Sequence, residues 1–176
     1  MTHLKGEKRA KYVQQMFGRI AHRYDLLNRL MTIGQDVRWR SFLIQKMAVG
    51  PKSTVLDLGA GTGDLALEVK RRHPDALVVA SDFTAEMLLM GKQRQDAEDI
   101  CWVIADAMYL PFASRCADVV VSGFLLRNVP EVPRTLQEQH RTLKPGGRVG
   151  SVDTTGVAGA RRLCAGGWIQ CGIACA

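Results

Sequence analysis

The sequence predicts an α/β domain, a doubly wound and mostly parallel sheet preceded by an N-terminal helical cap. Three observations carry this reading. After residue 53, short apolar segments alternate with stretches of helical composition, the order that builds a parallel sheet from βαβ units. Segments such as Leu77-Val78-Val79 are continuous apolar runs, as in strands covered on both faces. The first of them breaks into Gly59-Ala60-Gly61-Thr62-Gly63 and passes into Asp64-Leu65-Ala66, which reads as strand, tight loop, helix. Glycines there let a ligand approach the backbone, and the helix start offers unpaired N–H groups and a positive dipole end.

Residues 7–48 read as helices. Val13, Met16, Phe17 and Ile20, then Tyr24, Leu27, Leu30 and Met31, recur at spacings of three and four, as one buried helical stripe does. A break at 32–36 precedes a helix over 37–47. A Gly/Pro boundary at 49–53 follows. Strands are expected over 54–58, 76–81, 101–105, 117–121 and 148–152. Helices are expected over 64–72, 84–95 and 132–143, with Thr84 as an N-cap and Pro133 in a first turn. Lys144-Pro145-Gly146-Gly147 reads as a helix stop and turn. The chain thus divides into a basic helical cap (1–52), a sheet core (53–155) and an atypical tail (156–176). The tail holds five Gly, five Ala and three Cys with no acid, and its pattern supports no assignment.

Charge is concentrated at one end. Residues 1–50 carry ten Lys/Arg against three acids, so the whole excess of +7 lies there. Such a segment suits an anionic membrane surface or nucleic acid, and equally a solvated helical face. The five cysteines have neither paired CxxC spacing nor an even count, so neither a metal site nor a disulfide framework is expected. No apolar run of about 18 residues occurs, and the N-terminus lacks a signal-peptide core. The expected location is cytoplasmic, with peripheral contact at the inner face of a membrane.

Gly61-Thr62-Gly63-Asp64-Leu65-Ala66 matches the G-x-G-x-x-G/A fingerprint, which alone does not choose a cofactor. Asp82 ends the second strand nineteen residues past Gly63. A carboxylate there can accept both ribose hydroxyls of NAD or of S-adenosylmethionine. Asp106 ends the third strand, where an acceptor suits an adenine amino group and the adjacent N–H a ring nitrogen. Asp57 lies inside the first strand. It offsets the charge of a cationic ligand and repels a pyrophosphate, which favours the methyl donor.

Asp57-Leu58-Gly59-Ala60-Gly61-Thr62-Gly63, Asp82, Ala105-Asp106-Ala107 and Leu143-Lys144-Pro145-Gly146-Gly147 resemble the class I S-adenosylmethionine-dependent methyltransferases, a Rossmann-like fold. The stretch from Phe17 through Tyr24 and Asn28 to Trp39-Arg40, with Phe124-Leu125-Leu126-Arg127-Asn128-Val129, narrows the resemblance to the ubiquinone/menaquinone biosynthesis C-methyltransferases. It covers roughly residues 10–155. The resemblance implies methyl transfer from S-adenosylmethionine to a ring carbon of a polyprenylated quinol precursor. The expected cofactor residues are Asp57, Gly59, Gly61, Thr62, Gly63, Asp82, Asp106, Ala107 and Gly123. Gly123 stands where the family often has serine, and Gly18 where it usually has Asp or Ser.

A phenolic ring carbon becomes nucleophilic when the neighbouring hydroxyl loses its proton, so the protein must assist deprotonation and stabilise a phenolate. Arg127 offers a permanent cation, Asn128 can fix a hydroxyl or water, and Tyr24 can relay a proton or position the ring. Their bland alternatives are a structural loop contact for Arg127 and Asn128 and stripe packing for Tyr24. The expected partners are the polyprenylated quinol, an anionic membrane surface and a second copy of the chain; nucleic acid is not expected. Demethylmenaquinol is favoured over the ubiquinone precursor as substrate. Two other readings compete: an RNA or small-molecule methyltransferase, and a cofactor-binding protein without activity. The second arises because the family-like text fades after Thr155, so that the last strands of the family sheet are expected to be missing.

Overall fold

The computed structural model describes residues 32 and 34–153, and the backbone of Gln170–Cys175. Tyr24 and the stripe around it lie outside the described residues, as do 154–169. In chain order the elements are α1 (Gln35–Lys46), β1 (Thr54–Leu58), α2 (Asp64–Arg72), β2 (Leu77–Asp82), α3 (Ala85–Lys92), β3 (Ile100–Ile104), β4 (Ala117–Gly123), α4 (Val132–Thr142), β5 (Leu143–Asp153) and β6 (Gln170–Cys175). The strands form one sheet of order β3-β2-β1-β4-β5-β6. The first five are parallel, and β6 runs antiparallel to β5. The doubly wound, mostly parallel sheet expected from the alternating pattern is therefore present.

Successive strand residues face opposite sides, and two core clusters follow that alternation. Val55, Val78, Ala80, Val119, Val121 and Val152 pack on one face with Leu43, Ile44 and Met47 of α1 and Leu65, Ala66 and Val69 of α2. Leu56, Leu58 and Val120 pack on the other with Leu110 and Leu143. The part of the basic cap that is described, α1, lies directly on β5. A Cβ at Gly150 would fall 2.5 Å from Met47 Sδ and 2.7 Å from Leu43 Cδ1, so the helix seats only over a residue without a side chain.

Two expectations are corrected. Lys144–Gly147 is not a turn ahead of the strand: β5 begins at Leu143, paired with Ala117, and the register then shifts so that Val119 pairs with Arg148. The Pro-Gly-Gly stretch is absorbed as a bulge, because the extra residues on one strand of a pair bend it without ending it. The sheet also does not stop at the fifth strand. The tail, which lacks periodicity, contributes β6, its backbone paired from Arg148↔Cys175 to Asp153↔Gln170. Backbone pairing needs no side-chain pattern, which is why composition gave no sign of it. Among the described residues, no helix is long and apolar enough to cross a membrane.

Candidate functional site

The strand order reverses beside β1, whose neighbours are β2 and β4. In open parallel sheets such a switch point leaves a crevice beyond the carboxyl ends of the strands. A cavity lies there, walled by the loop after β1, the ends of β2 and β3, and the segment after β4.

The loop is shaped by close contacts. Gly59 has φ +66°, and a Cβ on it would meet Leu125 Cδ1 at 2.8 Å. Gly63 has φ +84°, and a Cβ on it would meet the Trp102 ring at 2.4 Å. Left-handed backbone and contact at that range both select glycine. Asp82 secures the loop from the side: Gly61 N–H donates to its Oδ2 and Thr84 N–H to its Oδ1, each at 2.8 Å. Burial pushes the Asp82 carboxyl above its ordinary range, opposed by those two N–H groups. Thr84 does sit at the N-cap of α3, without a side-chain capping bond.

Asp57 is 1% exposed. Ala66 N–H, in the first turn of α2, donates to its Oδ2 at 3.0 Å, while Oδ1 is buried without a hydrogen-bond partner. Burial pushes its carboxyl up to about 7, against the lowering influence of the Ala66 N–H and the Arg40 charge. A buried acceptor left unpaired is costly, and one on a cavity wall fits a ligand that supplies the donor.

Asp106 accepts from Met108 N–H at 2.8 Å, so it shapes its own turn while lining the cavity with Ala105 and Ala107. Gly123 also lines it, and a Cβ there would lie 3.2 Å from Leu65 Cδ1; the serine the family often carries would crowd α2. After β4, Phe124 takes φ +57°. That conformation is held by Phe124 N–H on Val152 O at 2.6 Å and by Asn128 Nδ2 on Phe124 O at 2.9 Å.

The structure thus brings together Asp57, Gly59, Gly61, Thr62, Asp82, Asp106, Ala107, Gly123 and Asn128 around one cavity. Gly63 supports the loop from behind, at the N-cap of α2. Arg127 is not on the cavity wall: its guanidinium sits over the Phe124 ring, 4.6 Å from the centroid, and its backbone N–H donates to Asp153 Oδ2 at 3.2 Å.

Sequence reasoning missed a charge cluster. Arg40 of α1 pairs with Asp36 at 3.0 Å and with Asp64 at the start of α2. Arg94, beyond α3, pairs with Asp64 at 2.5 Å and donates to Thr62 O at 3.1 Å. Arg40 and Asp64 both line the cavity. The partners are 24 and 30 residues apart, beyond any local spacing rule. Phe83, exposed beside Asp82 on the same wall, was likewise missed; an aromatic directly after a strand-end carboxylate is the available signal. Among the described residues, no group of three or more His, Cys, Asp or Glu could hold a metal ion.

A mostly parallel sheet of this order, with a glycine loop at the switch point, Asp57 inside β1, Asp82 at the end of β2 and Asp106 just past β3, is consistent with the Rossmann-like class I S-adenosylmethionine-dependent methyltransferase fold. A phosphoethanolamine N-methyltransferase of Haemonchus contortus, 20% identical, superposes with a TM-score of 0.70 over 92% of this chain and 35% of its own, a likeness of fold alone. Residues 1–160 match the ubiE/COQ5 methyltransferase family, and the chain belongs to it. The ubiquinone/menaquinone biosynthesis C-methyltransferase of Desulfotalea psychrophila is 46% identical over 143 residues, covering 81% of this chain and 58% of the relative. The demethylmenaquinone methyltransferase of Thermus thermophilus is 42% identical over 136 residues, covering 76% and 62%. The chain therefore spans about 60% of the length of these curated relatives.

Proposed function

We propose that the chain serves S-adenosylmethionine-dependent C-methylation of a polyprenylated quinol precursor, with demethylmenaquinol as the favoured substrate. The observation that carries this is the cavity at the switch point, where Asp57 presents a buried, unpaired acceptor between a glycine loop and the two further carboxylates Asp82 and Asp106. That set of acceptors fits an adenosyl sulfonium amino acid better than a pyrophosphate, which four acids would repel: Asp57, Asp64, Asp82 and Asp106 all line the cavity. The named relatives supply the substrate class, and both quinone types occur among their names.

When bound, S-adenosylmethionine supplies an electrophilic methyl group on its sulfonium. The chain's own residues do the rest. Asp82 offers acceptors to the ribose hydroxyls and Asp106, with the Ala107 N–H, an edge for the adenine. Phe83, Met87, Phe124, Leu125, Val129 and Pro130 give the cavity apolar walls, which exclude water and receive a ring. Loss of the phenolic proton raises electron density at the neighbouring ring carbon, and a cation near the oxygen stabilises the phenolate. We assign that cation to Arg127, acting across the Phe124 ring on which it rests, the hydroxyl or water contact to Asn128, and proton relay or ring positioning to Tyr24.

A long isoprenoid tail keeps the substrate in a bilayer, and the basic residues 1–50 suit approach to anionic lipid, each contributing on the order of 1 kcal/mol near the surface. Titration calorimetry with S-adenosylmethionine, followed by methyl-transfer assays on demethylmenaquinol and on the ubiquinone precursor, tests the proposal. Binding with turnover of demethylmenaquinol is expected. Binding without turnover of either quinol would instead favour a cofactor-binding protein without activity.

A further inference from the structure

We propose that Glu138 and Arg141, two residues of α4 outside the cavity, set the base selectivity of the site by fixing the segment that carries Asp106 and Ala107. They are positioning residues, and the inference rests on the cofactor reading above.

Residues 105–116 join β3 to β4 with neither a helix nor a strand of their own. A connection of that length is uncommon in a compact domain, and its backbone groups must find partners elsewhere. Its first part, from Ala105 to Met108, walls the cavity, whereas no residue of α4 does. Asp106 closes its own turn: Oδ1 accepts from Met108 N–H at 2.8 Å, and its carbonyl accepts from Tyr109 N–H at 2.9 Å. The residues that follow are held by side chains of α4.

Arg134, Glu138 and Arg141 stand at spacings of four and three, on one face of the helix. Arg134 Nε donates to Met108 O at 3.1 Å. Leu110 is gripped at both of its backbone groups. Its N–H donates to Glu138 Oε2 at 2.9 Å, and its carbonyl accepts from Arg141 Nη2 at 3.0 Å. Arg141 Nη1 donates to Phe112 O at 2.8 Å. The two side chains are themselves joined as a fork, Nε to Oε1 and Nη2 to Oε2, each at 2.8 Å. Two charge-assisted bonds of that kind fix direction as well as distance. Glu138 is 6% exposed, and its hydrogen bonds from Arg141 hold its carboxyl below the usual range, so it stays an acceptor.

Reading a base edge demands that the acceptor and the donor both stay in place. Adenine turns an amino donor and a ring-nitrogen acceptor to such an edge. Hypoxanthine turns a carbonyl and a ring N–H, which oppose the Asp106 carboxylate and the Ala107 N–H. The ribose and the amino-acid end are the same in both nucleosides. A segment freed from α4 therefore loses the distinction between the bases while the rest of the ligand is still held.

S-adenosylhomocysteine and S-inosylhomocysteine differ in the base alone. Titration calorimetry with each is compared for wild type, E138A, E138Q, R141K and I44V, the last a core change on the opposite face of the sheet. Wild type is expected to prefer the adenine nucleoside by at least about tenfold, the scale of a mismatched hydrogen-bonding edge. E138A should bring the two within about threefold by losing affinity for the adenine nucleoside alone. E138Q keeps an oxygen for Leu110 N–H and R141K loses the fork, so both should fall between; I44V should keep the wild-type ratio. Wild type binding both nucleosides equally would overturn the assignment, leave the cofactor reading intact, and needs no variant to fold. E138Q and R141K both keeping the wild-type ratio, an equal loss on both nucleosides, or the same fall in ratio for I44V would overturn it too, reducing α4 to support of the fold. Failure of wild type to bind either nucleoside would overturn the cofactor reading itself and the inference with it.

Discussion

The Trp102 ring fills the space that a side chain at Gly63 would need. A Cβ on Gly63 would lie 2.4 Å from Cη2 of that ring, and a Cβ on Gly91 would lie 2.5 Å from it. The indole from β3 is wedged between the helix that follows the glycine loop and the helix that follows β2.

Gly63→Ala should therefore destabilise the fold twice over. Left-handed backbone at φ +84° costs an alanine roughly 1–2 kcal/mol, and overpacking against the indole adds about 1–3 kcal/mol. Trp102→Leu in the same chain should recover the second part and none of the first. Urea unfolding of the two single variants and the pair measures both, and a coupling near zero would show that the indole simply moves aside.

Asp57 makes stability fall with rising pH. Its carboxyl is raised from 3.8 in the unfolded chain to about 7 in the folded one, so the folded state holds a proton that the unfolded state releases between those values. Wild type should lose on the order of a few kcal/mol from pH 4 to pH 7 through this group, and Asp57→Asn should not. Urea midpoints across that window, compared between the two proteins, give the answer.

On the proposed cofactor reading, the same carboxyl should set a pH dependence of cofactor binding. A cationic ligand binds the ionised form, so S-adenosylmethionine should bind roughly tenfold more weakly at pH 6 than at pH 8. Asp57→Asn should bind more weakly throughout, with that dependence removed. Calorimetric titration in buffers of different ionisation enthalpy should also detect proton release by wild type near pH 6.5.

Asp82→Asn places an amide donor against one of the two N–H groups, of Gly61 or Thr84, that the carboxylate now accepts. Affinity for the nucleoside should drop by about 10- to 100-fold, and stability by about 1–3 kcal/mol. Equilibrium dialysis and thermal unfolding read the two effects. A variant that kept wild-type affinity would remove Asp82 from the proposed ribose contact.

Arg127→Met, Asn128→Ala and Tyr24→Phe should each lower kcat, Arg127→Met by about 100-fold, while leaving the dissociation constant of S-adenosylmethionine within about twofold. Arg127 rests on Phe124 rather than on the cavity wall, so Arg127→Lys, which keeps the charge and loses the stacked plane, separates charge from packing. A methyl-transfer assay in which Arg127→Met retained full turnover would reduce Arg127 to a loop contact.

The central sheet was legible because its middle strands, β1 and β4, are buried on both faces and so read as continuous apolar runs. The glycine loop was legible because Gly59 and Gly63 are required by backbone angle and close contact, which leaves a trace in residue identity. Asp57, Asp82 and Asp106 could be placed because strand ends map directly onto the crevice. The links among Arg40, Asp64 and Arg94 were not legible, since side chains that meet across 24 or 30 residues obey no periodicity. Strand β6 escaped for a different reason. An edge strand is held by backbone groups, and Gly/Ala/Cys composition neither promotes nor forbids it. The start of β5 was misplaced because Pro145, Gly146 and Gly147 carry the same signature in a bulge as in a turn.

Asp64 is one side chain held by two arginines, Arg40 from the N-terminal helix and Arg94 from beyond α3. Two segments distant in sequence are thus moored at a single point, the first residue of the helix that the glycine loop feeds. Whatever draws Asp64 away loosens both moorings together. If a ligand of the loop draws on Asp64, free-energy reciprocity couples the two: what orders or frays α1 then alters the loop's affinity for that ligand by the same factor.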